Sequence, residues 1–191
     1  MILEGLLTTI NEGGGVNISP MGPAVEEDMR RLVLKPYQTS RTYQNLKRTG
    51  EGVFHVTDDV ELMARCAIGT PDPLPPMMAA EGVNGRILAN ACRWYAFRVT
   101  SLDDSQERTQ IVADVVAWAR IRDFFGFNRA KHAVVEAAIL ATRTALLPVA
   151  DILRDFERLQ VLVNKTGGPQ EHRAFDFLRQ QVQAALGDDR K

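Results

Sequence analysis

The sequence predicts an α+β protein, a small and mainly antiparallel β-barrel of about six strands followed by a helical extension of about 65 residues. Two observations carry this reading. Short β-branched and aromatic runs alternate with Gly, Pro, Asn and Asp clusters over the first two thirds of the chain. From Asn128 the character changes, and Ala133, Ala137, Leu140 and Ala141 recur at helical spacing in an Ala-rich run. The expected division is therefore a barrel domain over 1–125 and a helical extension over 126–191 packed on it. A length of 191 residues, 45% hydrophobic and 25% charged, suits one such domain with an appendage.

Residues 2–9 and 16–19 read as a hairpin around Asn11-Glu12-Gly13-Gly14-Gly15, a strong turn signal. Pro20 has no N–H to give a ladder, so it marks a strand edge or a bulge. Residues 26–35 predict a third strand, although Arg30 and Arg31 blur its alternation. Residues 40–46 predict a short helix, with Ser40 or Thr39 placed to cap it and Gly50 placed to end it. Residues 53–57 predict a strand, and Asp58 or Asp59 then caps a short helix through Ala67. The Pro-rich stretch 69–85 reads as an irregular loop, long enough to gate a site. Residues 89–102 and 107–122 predict a second hairpin that closes the sheet. Helices follow from Asn128, from Pro148 and over 171–186, with Gly167-Gly168-Pro169 as a break and 187–191 expected to fray.

The bulk properties exclude several functions. A net charge of −1 gives no global reason to bind nucleic acid. No apolar run reaches the roughly 20 residues that cross a bilayer. Met1 to Thr9 lacks a basic segment and a cleavage site, so no signal peptide is expected and the protein reads as cytoplasmic. Cys66 and Cys92 belong to no CxxC pattern and read as buried free thiols. There is no Gly-x-Gly-x-x-Gly, P-loop or Gly-x-Ser-x-Gly.

The most informative residues are Asn17, Ser19-Pro20-Met21-Gly22 and Ser40-Arg41-Thr42-Tyr43-Gln44-Asn45-Leu46. A phosphate needs several N–H or O–H donors converging on one point, and hydroxyls at a helix N-terminus supply them. Ser40 and Thr42 offer the hydroxyls, and Arg41, Lys35 or Lys47 offers a cation. A strand end over Ser19–Gly22 can present backbone groups to a flat ring, with Gly22 permitting close approach. On spacing alone the plainer reading is favoured, in which Ser40 caps a helix and Gly22 turns the chain.

These segments resemble the FMN-binding split-barrel proteins, which include flavin reductases and pyridoxamine-phosphate oxidase-like enzymes. More closely, the chain resembles an uncharacterised prokaryotic family of flavin-reductase-like split-barrel proteins with a helical C-terminal extension. The residues that carry the likeness are Asn17, Ser19-Pro20-Met21-Gly22, Ser40, Thr42-Tyr43, Asn45-Leu46, Thr49-Gly50 and Val56-Thr57-Asp58-Asp59. In the tail they are Phe127-Asn128-Arg129-Ala130, Val135-Glu136-Ala137 and Thr142-Arg143. The resemblance implies FMN held at a homodimer interface by both subunits. It implies Ser40, Thr42 and Asn45 near the phosphate and Ser19 to Gly22 near the ring. It implies no known reaction; the expected function is an FMN-dependent oxidoreductase acting on a small, pterin-like substrate, and the alternative is a flavin protein that stores or senses without catalysis.

Asn128 and Arg129 open the Ala-rich helix and read either as a cap with a surface arginine or as further flavin contacts. His132 and Glu136 are four apart and form half of a metal-site pattern, which a structural contact explains better. Trp94, Tyr95 and Trp118 read as core or interface residues ahead of stacking partners for a ring.

Overall fold

The computed structural model describes residues 1–188, with side chains to residue 185. The chain forms two compact units, Met1–Thr57 with Pro73–Phe124, and Asp58–Asp72 with the chain from Phe125 onward.

The first unit is a seven-stranded antiparallel sheet in the order β2-β1-β5-β8-β9-β4-β3. Its strands are β1 Gly5–Ile10, β2 Val16–Met21, β3 Ala24–Val25, β4 Arg31–Leu34, β5 Glu51–Val56, β8 Arg93–Asp103 and β9 Gln110–Arg120. The sheet curls into a half-barrel. Residues just ahead of β1 reach β3 at the far end of the strand order, with Ile2 bridging Ala24 and the Val25 N–H donating to the Met1 carbonyl at 2.8 Å. Inside lie Leu7, Leu32, Leu34, Phe54, Phe97 and Ile111. On the outer side Val53, Trp94 and Ala96 pack with Ile87.

The expected hairpin forms, with the Asn11 N–H donating to the Gly15 carbonyl at 2.8 Å. Its second strand lies at the sheet edge, where Pro20 leaves no interior ladder bond unmade. The strand expected over 26–35 is shorter, β4 Arg31–Leu34, and is preceded by a turn that joins it to the two-residue β3. The exposed acidic run Glu26-Glu27-Asp28 leads into a turn at Met29, whose φ is 54°, and Arg30 N–H caps Asp28 at 3.1 Å. The loop expected over 69–85 is also partly ordered. A ribbon of β6 Met77–Ala79 and β7 Arg86–Leu88 forms there, because two facing segments pair across its Gly-rich turn. His55 fastens that ribbon: its Nδ1 donates to the Leu6 carbonyl at 3.1 Å and its Nε2 accepts from the Leu88 N–H at 3.1 Å.

Helix α1, Arg41–Thr49, begins at Ser40, whose Oγ accepts from the Tyr43 N–H, and ends at Gly50 in the left-handed region at φ 68°. An L side chain at Gly50 is strained, so glycine suits the site.

The second unit is helical: α2 Val60–Ile68, α3 Arg129–Ala141, α4 Val149–Thr166 and α5 Pro169–Asp188. Ala130, Ala133 and Ala137 let α3 pack closely against Ile152, Phe156, Phe175 and Leu178. Helix α2, expected within the barrel domain, packs here through Val60 and Ala64, because its apolar face matches the helical core. Lys131 is paired with the buried Glu171 at 2.8 Å. Of the tail expected to fray, Gly187 and Asp188 continue α5, and 189–191 lie outside the described residues. No helix among the described residues is long and apolar enough to cross a membrane.

Candidate functional site

Four of the sequence-predicted residues of the first unit, Asn17, Ser19, Thr42 and Asn45, are joined where α1 meets the β1–β2 hairpin. Thr42 Oγ1 accepts from Asn17 Nδ2 at 3.1 Å and lies 2.7 Å from Ser19 Oγ. Asn17 Nδ2 also reaches Thr9 Oγ1 at 3.3 Å. Asn45 Nδ2 donates to Thr9 Oγ1 at 3.0 Å and to Asn11 Oδ1 at 2.9 Å. Thr49 Oγ1 donates to the Asn45 carbonyl at 2.9 Å. Arg48 donates to the Ile10 carbonyl. Helix α1 is thus fastened to the hairpin by a connected polar network. Such networks fix geometry when every member is satisfied, and among the described residues no buried side-chain polar atom lacks a partner.

Burial divides the network by role. Thr42 is 3% exposed and Asn45 4%, so both are held within the protein. Ser19, Pro20, Met21, Gly22 and Ser40 are half-buried, and Arg41 is exposed. The members of this region with exposed surface are therefore Ser19, Ser40 and Arg41, beside the first-turn N–H groups that any helix leaves without intrahelical partners. Thr42, accepting from Asn17, can donate to Ser19 Oγ, which leaves the Ser19 hydrogen for an anion. Ser40 Oγ donates to the Tyr37 carbonyl at 2.7 Å and accepts from the Tyr43 N–H at 3.2 Å.

Three expectations need adjustment. Lys47 is tied to Asp104 at 2.7 Å and to Tyr43 Oη at 3.1 Å, and those contacts hold its ammonium pKa well above the usual range. That leaves Arg41 and Lys35 as the cations. A side chain at Gly22 would meet Ile2 Cγ2 at 2.9 Å and the Glu4 carboxylate at 3.1 Å, so the close approach there is made by the chain's own residues. Asn128 caps α3, accepting from the N–H groups of Ala130 at 2.8 Å and Lys131 at 3.2 Å while donating to the Thr166 carbonyl at 3.0 Å. Arg129, the first residue of α3, is exposed and makes no ion pair among the described residues. Asn128 and Arg129 belong to the helical unit.

Thr9 and Asn11 were missed. The one local sign was Thr9 itself, a polar residue on the same face of β1 as the core residue Leu7. Among the described residues His132 and Glu136 belong to no metal-binding cluster, and His132 lies against the Phe127 ring at 6.1 Å. Trp94 and Tyr95 are buried as expected, whereas Trp118 is 65% exposed and stacks on Tyr95 at 6.3 Å.

A curled antiparallel half-barrel with a short helix seated on its first hairpin defines the flavin reductase-like, FMN-binding split-barrel fold. The chain belongs to the DUF447 family: its residues 3–122 match the description "Protein of unknown function (DUF447) N-terminal domain", and residues 128–180 match "Protein of unknown function (DUF447)". Among solved structures, it is similar to the FMN-bound protein MM1853 from Methanosarcina mazei, at 24% identity and TM-score 0.77, covering 94% of each chain. It is also similar to the styrene monooxygenase flavin reductase of Pseudomonas putida S12, at 16% identity and TM-score 0.52, over 62% of this chain and 79% of that one. Flavoredoxin from Methanosarcina acetivorans matches at 15% identity and TM-score 0.54, over 62% and 68%. Among curated proteins none matches.

Proposed function

We propose that this protein binds FMN where α1 meets β2 and works as an FMN-dependent reductase of a small substrate. The observation that carries the reading is the hydroxyl pair Ser19–Thr42, 2.7 Å apart beside the N-terminus of α1. That donor set fits a phosphate: the Ser19 hydroxyl, the Arg41 guanidinium and the first-turn amides that the Ser40 cap leaves over, while the Ser40 hydroxyl is spent on Tyr37 and Tyr43. The outer edge of β2, over Ser19 to Gly22, offers main-chain groups to the polar rim of a flat ring. The FMN-bound relative in the same family supports the choice of flavin.

When bound, FMN supplies hydride chemistry. The chain's own part is to hold and orient. Asn17, Thr9, Asn45 and Asn11 fix α1 on the hairpin, Ser19 and Arg41 hold the phosphate, and the β2 edge sets the ring plane. No side-chain acid or base is required of this chain for hydride transfer. A homodimer with a flavin at each interface is part of the reading, supported by Phe125 and Phe127, which are 84% and 95% exposed. The protein is proposed to act in the cytoplasm, and a pterin is the first substrate class to try.

The test is an FMN titration followed by absorbance near about 450 nm and gel filtration, then anaerobic addition of NADH or NADPH. Bound flavin that is bleached by a nicotinamide supports the reductase. Bound flavin that no reductant touches supports storage or sensing instead. A chain that ignores FMN overturns both.

A further inference from the structure

The β8–β9 hairpin has two register shifts, and the one between Ala96 and Phe97 is a one-residue bulge on β9. Ala96 pairs with Ala117 and Phe97 with Val115, so Val116 is the extra residue on β9. Side chains alternate along a strand, and one inserted residue swaps their faces. Before the bulge, Ile111 and Ala113 face the barrel core. Beyond it the core-facing position opposite Tyr95 is Trp118. Tyr95 belongs to the core cluster, yet its stacked neighbour Trp118 is 65% exposed. The bulge therefore carries the core face of the sheet out into an open groove of about 940 Å³, whose walls include Met29, Val116 and Arg93. It shares no lining residue with the proposed flavin site.

The charges of this groove are uneven. Arg31 is neutralised by Asp114 at 3.0 Å and Arg30 by Asp28 at 3.5 Å. Arg93 sits directly across the ladder from Arg120, a like-charge pair that disfavours the hairpin. Arg120 is relieved by Asp123 at 2.7 Å. Arg93 has no ion-pair partner among the described residues, and it lies two residues from Tyr95 on the same face of β8. A ring lying on Trp118 would place a carboxylate within reach of that guanidinium. Glu26 and Glu27, on the same groove, oppose any negative charge near them, so the attraction for a carboxylate rests on Arg93 alone.

We propose that this groove is a second ligand site, for a planar aromatic monocarboxylate stacked on Trp118 and paired with Arg93. The site is separate from the flavin reading and does not depend on it.

Calorimetric titration of the full chain, with and without FMN added, uses three probes of one shape: 2-naphthoate, neutral 2-naphthamide and cationic 2-(aminomethyl)naphthalene. The site predicts saturable binding of 2-naphthoate, at least about tenfold tighter than 2-naphthamide. Arg93→Gln removes that preference while leaving weak ring binding, and Trp118→Ala removes binding of both. Both positions are exposed, so these variants retain the fold. Preference for the cationic probe overturns the proposal, as does binding indifferent to both substitutions. Gel filtration that shows Trp118→Ala dissociating an oligomer also overturns it, because the groove then holds a second copy. FMN binding is read separately by its absorbance, so loss of either site is distinguished from loss of the other.

Discussion

The hydroxyl oxygens of Ser19 and Thr42 lie 2.7 Å apart, joining the edge strand of the sheet to the first turn of α1. One of the pair is half-buried and the other buried, so a substitution at each weighs ligand contact against scaffold. Ser19→Ala weakens FMN binding about tenfold and costs about 1 kcal/mol of stability, because the buried Thr42 hydroxyl loses its acceptor. Thr42→Val keeps shape but strands Asn17 and Ser19, costing about 1–2 kcal/mol of stability. Flavin fluorescence titration and thermal melts check both.

Asn45 donates to both Thr9 and Asn11 from a buried position. Asn45→Leu leaves Asn11 without this donor and Thr9 with only the longer bond from Asn17, so a loss of about 2 kcal/mol is expected, with α1 loosened from the hairpin. Hydrogen exchange at α1 amides rises above that of the β8–β9 ladder if the network is what holds the helix.

His55 gives the protein an acid-sensitive seam. Burial holds its pKa down at about 4, with the Leu6 carbonyl opposing only in part. The folded protein thus keeps His55 neutral while the unfolded chain protonates near 6.5. Stability is full above pH 6.5 and falls as pH drops toward 4, where the difference levels off. By pH 5 the loss is about 2 kcal/mol. Carboxylates such as Glu171 add their loss only at lower pH, since burial raises its carboxyl but Lys131 and the Gly168 N–H hold it below 4.5 overall. Urea midpoints at pH 7 and pH 5 check this, and His55→Gln flattens the slope between them.

Lys131 and Glu171 form a pair whose side chains are 15% and 8% exposed. Lys131→Met leaves a buried carboxylate without its cation and costs about 3 kcal/mol. Adding Glu171→Gln recovers part of that loss. If the double variant melts no higher than the single one, the pair is not the source of the cost.

Local signals lay open in the sequence wherever one residue type has one backbone job. The turn at 11–15, the caps at Ser40, Asp59 and Asn128, the stop at Gly50 and the break at 167–169 are all where residue chemistry puts them. The period of the apolar residues likewise separated a sheet from helices. Pairing was not legible. The β6–β7 ribbon hides in a Pro-rich stretch because its strands have three residues each and gain order only against the Val53–Trp94 face. Helix α2 follows a β-strand, yet its apolar face is buried by α3 and α5.

Of the candidate site, the sequence determined the residue types and their spacing: Asn17, Ser19, Thr42 and Asn45 do meet. Only the tertiary structure decided which of them are buried braces and which face solvent. It alone brought in Thr9 and Asn11 and drew Lys47 away to Asp104. The reason is physical. A turn or cap is settled by bonds within a few residues, whereas burial, long-range hydrogen bonding and charge pairing depend on segments brought together only by the folded sheet.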